Sequence, residues 1–174
     1  MIAQLKYGSQ EVFWDTRKKE VITYYAAQKY RVRGRLKLPN HIERFPSVLE
    51  FNVYQKLVDL YGERRIVRQY PLVIMPPGCC YPKGKKWRVD FAIQWLPNSK
   101  DFVLFVEAKG ALIAEFRHTL SALEAYDNAA FNKLRIIWGS GIPKHGVFIR
   151  NLLASEFRNQ MYSFRQFENM SRLP

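Results

Sequence analysis

A chain of 174 residues, 48% hydrophobic and 15% aromatic, has the composition of a globular domain with a real core, which excludes a disordered tail. Its 28 Lys and Arg against 15 Asp and Glu leave a net charge of +13, so a polyanion is the expected partner, nucleic acid first and an anionic membrane surface second. No apolar run approaches the roughly 20 residues of a spanning helix, and MIAQLKYGSQEVFWD lacks the apolar core of a signal peptide, so a soluble, intracellular and cytoplasmic protein is expected.

Residues 1–45 carry ten Lys/Arg and four Asp/Glu, residues 46–139 thirteen and nine, and residues 140–174 five and two. The N-terminal stretch is thus the most basic for its length. Lys29, Arg31, Arg33, Arg35 and Lys37 fall at every second position. In an extended strand they would form one basic edge or face, interleaved with Tyr24, Tyr25 and Tyr30, and cations with aromatics suit phosphates and unstacked bases. A solvated edge strand whose charges block aggregation is the structural alternative. Gly34 offers a bulge or turn.

FPSVLEFNVYQKLVDLYG is the clearest helix, with Val48, Phe51, Tyr54, Leu57, Val58 and Tyr61 at helical spacing. Ser47 is a good N-cap and Gly62 a good stop. Glu50, three residues after Ser47, completes a capping box or supplies a carboxylate to a site; both readings stay open. Arg65 to Met75 reads as a strand, and Pro71 places it at an edge, a bulge or a break. The loop PPGCCYPKGKK follows, with Lys83, Lys85 and Lys86. Cys79 and Cys80 are the only cysteines; adjacent and without a second pair, they are expected to be two reduced thiols and not a zinc site. His41, His118 and His145 are scattered.

The chain is organised around the hairpin Trp87–Gly110. In WRVDFAIQW, Val89, Phe91, Ile93 and Trp95 alternate with Arg88, Asp90, Ala92 and Gln94, as in a half-buried strand. Phe102 to Val106 is apolar on both faces and should lie in the middle of a sheet. A two-residue turn at Asn98-Ser99 pairs residues whose numbers sum to 197, so Asp90 faces Glu107, about 4.5–5.5 Å apart between Cα atoms. Lys109 shares that face. Opposed carboxylates repel each other unless a cation lies between them. The hairpin therefore reads as half of a hard-metal site with a lysine beside it; a wet sheet face is the plain alternative. ALIAEFRHTLSALEAYDNAAF then reads as a helix in one or two pieces, Leu134 to Gly139 as a short buried strand reached by a parallel crossover, and the remainder as a helix with Arg150, Arg158 and Arg165 facing solvent.

The order helix with Glu50, strand, strand with Asp90, strand with Glu107-Ala108-Lys109, helix, strand resembles the PD-(D/E)xK nuclease superfamily, most of all its small phage, transposon and intron-encoded members. The resemblance covers about Ser47 to Gly139; Asp90, Glu107 and Lys109 match the motif, while Val89 stands where the motif has Pro. It implies an α/β fold with a restriction-endonuclease-like core, a central mixed β-sheet of about four strands flanked by helices. The expectation is one domain over 1–174: a basic N-terminal arm (1–45), a catalytic core (46–139) and a C-terminal helical region (140–174). It further implies a metal-dependent DNA endonuclease in which Asp90 and Glu107, with the Ala108 carbonyl, hold Mg²⁺, for which Mn²⁺ would substitute, and Glu50 serves a second metal. Lys109 would position or deprotonate the attacking water or offset phosphate charge. DNA, double-stranded or branched, is the implied substrate, contacted by Lys29, Arg31, Arg33, Arg35, Lys37, Lys83, Lys85 and Lys86. A homodimer, or a recombination or packaging protein as partner, is compatible with this. Two rivals are a nuclease-like fold that only binds nucleic acid and a basic module for an acidic protein.

Overall fold

The apolar hairpin at the centre of the sequence becomes the middle of a five-stranded sheet. The computed structural model describes residues 10–110, 114–139 and 160–173. The chain divides into two compact units, residues 1–52 and 53–174.

In the N-terminal unit, β1 (Val12–Asp15) lies between β2 (Glu20–Ile22) and β5 (Ile42–Phe45), antiparallel to both. Phe13, Ala27 and Ile42 form its core with Ile22, Tyr30, Leu36 and Leu38 packed around them. Asp15 closes the β1–β2 turn: its Oδ1 accepts from the N–H groups of Arg17 (2.9 Å) and Lys18 (3.0 Å). The stretch read as one alternating strand is instead a helix and a hairpin. Thr23 caps α1 (Tyr24–Gln28) by accepting from Ala26 N–H. The chain then makes β3 (Arg31–Val32) and β4 (Arg35–Leu36), paired Arg31 to Leu36 and Val32 to Arg35. Arg33 (φ 50°) and Gly34 (φ 76°) form the turn, and two positive φ angles are what a tight two-residue hairpin demands. Arg31 and Arg35 therefore lie on opposite faces, and the single basic face expected from the alternation does not form.

Helix α2 (Val48–Tyr61) matches its expected limits, and Gly62 ends it at φ 82°. A 3-10 turn, Glu63–Arg65, leads into β6 (Ile66–Met75). Then come β7 (Lys85–Gln94), β8 (Phe102–Lys109), α3 (Ala114–Tyr126), α4 (Asn128–Asn132), β9 (Leu134–Trp138), β10 (Met161–Ser163) and α5 (Phe164–Glu168). The sheet order is β10-β9-β8-β7-β6, with β6–β7–β8 antiparallel and β8–β9–β10 parallel. The fold is thus α/β with a mixed central sheet flanked by helices. As expected, β8 is central, β9 runs parallel to it, and β6 with Pro71 is an edge strand. Five strands replace the four expected, because Met161–Ser163 adds an edge strand where the sequence reads as helix. Of the arginines expected on that helix, Arg165 is exposed on α5, and Arg150 and Arg158 lie outside the described residues.

Helices α3 and α4 bury Phe116, Leu120, Leu123, Ala130 and Phe131 against Leu72, Val89, Phe105, Leu134 and Ile136 of the sheet. Tyr54 of α2 stacks on Phe91 of β7, ring centroids 6.2 Å apart. At about 25 cal/mol per Å² of apolar surface removed from water, these contacts are the main source of stability. No helix among the described residues is long and apolar enough to cross a membrane.

Candidate active site

The β7–β8 pairing holds the two candidate carboxylates together. Phe91 opposes Val106, Ala92 opposes Phe105 and Ile93 opposes Leu104, which is the register expected from the sequence. The turn is reached differently. A register shift follows Ile93, and the reversal is Leu96-Pro97-Asn98-Ser99, closed by Ser99 N–H to Leu96 O at 3.0 Å with Asn98 at φ 64°. Gln94 is buried and anchors this turn, its amide donating to Ser99 O and accepting from Asn98 N–H. Trp95, expected on the apolar face, is instead 63% exposed.

At the other end the β7–β8 ladder stops at Phe91–Val106, although both strands continue. Side chains take over the backbone donors there. Asp90 N–H donates to Glu107 Oε2 (3.0 Å), and Ala108 N–H donates to Asp90 Oδ2 (2.9 Å). Each carboxylate thus caps the strand that carries the other. Gln69 Nε2 on β6 donates to Asp90 Oδ1 (3.2 Å), and Lys109 Nζ lies 2.5 Å from Glu107 Oε1. The Lys109 ammonium also sits 4.7 Å from the centre of the Phe116 ring. Glu107 is only 2% exposed and Asp90 is half-buried.

Burial, and then the charge of Asp90, push the Glu107 carboxyl up to about 8; Lys109 pulls it down without cancelling either. Burial also raises Asp90, against the Ala108 N–H, Lys109, Gln69 and Arg68. Two carboxylates that cannot both ionise comfortably are what a bound cation would relieve.

The donor chemistry fits a hard divalent cation. Among the described residues each of the four carboxylate oxygens has one polar partner, and a carboxylate oxygen accepts twice, so each keeps a lone pair that a metal could use. Ala108, implied as a carbonyl ligand, contributes its N–H to Asp90 and opposes Ile137 in the β8–β9 ladder. No group of three or more His, Cys, Asp and Glu side chains placed to share a metal occurs among the described residues. The carboxylates that β7 and β8 bring together are Asp90 and Glu107.

Glu50 is buried in the first turn of α2, in the N-terminal unit, and its N–H donates to Ser47 Oγ at 3.1 Å, which is one half of the capping box. Lys83, Lys85 and Lys86 are all exposed. Lys85 and Lys86 belong to β7, opposite Met75 and Val73, and not to the loop. Gly84 makes that possible: at φ 68° a Cβ would lie 2.7 Å from Met75 O. Cys79 and Cys80 are exposed free thiols.

Gln69 is the site residue that the sequence reading missed. It sits inside a strand at φ 52°, a conformation rare for any residue other than Gly, Asn or Asp. Its neighbours pair Arg68 to Phe91 and Tyr70 to Val89, which puts Gln69 across from Asp90. The signal would have been the β6–β7 register, but no short turn lies between those strands from which to count it. Comparison with protein-family models, curated proteins and solved structures finds no match to this chain.

Proposed function

We propose that the chain is a metal-dependent DNA endonuclease of the PD-(D/E)xK type, built on a restriction-endonuclease-like core. The observation that carries this reading is the Asp90–Glu107 pair with Lys109 at its edge, held on two adjacent central strands. Asp90 and Glu107 would hold Mg²⁺ or Mn²⁺. When bound, the cation supplies Lewis-acid polarisation of the phosphate and acidifies a water. Lys109 stays fixed between Glu107 and Phe116, so its ammonium is positioned, without rotamer search, to orient the attacking water or to offset charge on the phosphate. Gln69 and the Ala108 N–H fix the orientation of Asp90. The net charge of +13 supplies attraction for DNA.

The test is nicking of supercoiled plasmid in Mg²⁺ or Mn²⁺, with EDTA and Lys109→Ala as controls. Metal-dependent nicking is expected, falling at least a hundredfold in Lys109→Ala, the order of one transition-state electrostatic contact. Nicking unchanged in Lys109→Ala would remove this site from the chemistry.

A second reading has its own support. The same two carboxylates satisfy strand N–H groups, which is a structural reason for their presence in a protein that only binds nucleic acid. Calorimetric Mn²⁺ binding by the wild type that disappears in Asp90→Asn favours the enzyme; no Mn²⁺ binding by the wild type favours the binder.

A further inference from the structure

Residues 21–42 contain five lysines and arginines, Lys29, Arg31, Arg33, Arg35 and Lys37, and no carboxylate. All five are exposed, and among the described residues none pairs with an acidic side chain. They are carried on and around the β3–β4 hairpin, whose tip is Arg33. A tight turn of this kind prefers Asn, Asp or Gly at its first central position, where φ is positive. Arginine at φ 50° makes a poorer turn, so the turn itself does not account for its presence.

We propose that this hairpin is a DNA-duplex-binding ribbon, with Arg33 entering the major groove and the flanking cations gripping the phosphates on either side. Two paired strands lie about 4.8 Å apart, and with side chains such a ribbon fits a major groove about 12 Å wide and not a minor groove about 6 Å wide. Arg31 pairs with Leu36 and Val32 with Arg35, so Arg31 and Arg35 project from opposite faces. A ribbon standing in a groove has a phosphate wall on each face, and one arginine meets each wall. At the tip, a guanidinium matches the guanine O6 and N7 acceptors of the groove floor. Tyr24 and Tyr25, 51% and 88% exposed, lie on α1 just before the hairpin. They would serve unpaired bases instead, and that alternative is separable by experiment.

The inference takes duplex DNA as the substrate from the reading above, but its test is run in EDTA, where cleavage plays no part. The full chain is titrated against a fluorescent duplex with a G·C-rich centre, and against a single strand of the same length, by anisotropy at several salt concentrations. Arg33→Asn keeps a residue suited to the turn, so its thermal midpoint should equal or exceed the wild type's, while duplex affinity falls about fivefold or more. Arg31→Gln with Arg35→Gln should lower the slope of log affinity against log salt by about two. Wild-type affinity and salt slope in these variants would overturn the proposal. So would tighter binding to the single strand, which assigns the patch to bases stacked on the tyrosines, or displacement by a minor-groove ligand. Failure to bind DNA at low salt would also overturn it and leave the charge to an acidic protein.

Discussion

Gln69 carries a cost and a purpose that can be separated. Holding a non-glycine residue in the left-handed region costs about 1–2 kcal/mol, and here the outlier lies mid-strand with its amide on Asp90. Gln69→Ala and Gln69→Gly both remove the amide, but only glycine accepts the backbone angle freely. The alanine variant should therefore melt about 2–4 °C below the glycine variant, the shift that about 1 kcal/mol makes in a domain of this size. Both should lose Mn²⁺ affinity to the same degree, several-fold, because Asp90 is no longer oriented. Calorimetry and thermal unfolding in EDTA check the two halves independently. Equal melting with wild-type Mn²⁺ affinity would make Gln69 an incidental strand residue. Glu107 makes a second separable case. Its folded-state value near 8 lies above the usual 4.5, so between those limits the folded protein holds a proton that the unfolded chain releases. Stability should fall as pH rises from about 4.5 to about 8, with a slope of up to about 1.4 kcal/mol per pH unit. Mn²⁺ must displace that proton, so its affinity should rise over the same window. Thermal midpoints from pH 5 to 9 in EDTA, wild type against Glu107→Gln, test this; the variant's profile should be flatter, and identical profiles would mean that Glu107 keeps its ordinary value.

At the scale of elements, what was legible followed from strong local patterns. The helix from Ser47 to Gly62 had its cap, its periodic apolar face and its stop, and it formed at those limits. The β7–β8 register was countable because the hairpin is short and its strands are apolar, so a one-residue slip would bury the wrong face. Yet the count succeeded through compensation: the turn is Leu96–Ser99 and the shift after Ile93 absorbs the extra residue. Pro97-Asn98 had the chemistry for that turn, proline before a residue at positive φ, and the bulge was not visible in composition. The basic stretch failed for a related reason. Alternating charge looks the same in one strand as in two strands joined at Arg33-Gly34, and only the φ angles separate them. The edge strand Met161–Ser163 is too short to show a period. Asp90, Glu107 and Lys109 were legible as a set because they interrupt apolar strands, whereas Gln69 depended on a register across the long Pro76–Gly84 connection.

For the whole molecule the governing quantity is charge. An excess of 13 positive charges on 174 residues cannot be neutralised internally, and eight of the cations, Arg17, Lys18, Lys19, Lys29, Arg31, Arg33, Arg35 and Lys37, are exposed within a single stretch of the N-terminal unit. Lys18 shares its charge with Glu20 at 3.5 Å, so not all eight are equally available. If six or more phosphates are neutralised, counterion release makes affinity for duplex DNA fall by about a thousandfold or more between 50 and 200 mM salt. The proposed cleavage would depend on a different set of residues, so Lys109→Ala should leave that salt slope within one unit of the wild type while nicking falls at least a hundredfold. Anisotropy in EDTA gives the slope and plasmid nicking gives the activity, and the two together divide the molecule's charge between attraction and chemistry. A slope shallower than about two would mean that most of this charge does not meet phosphate, and the case for DNA as the partner would then rest on the carboxylate pair alone.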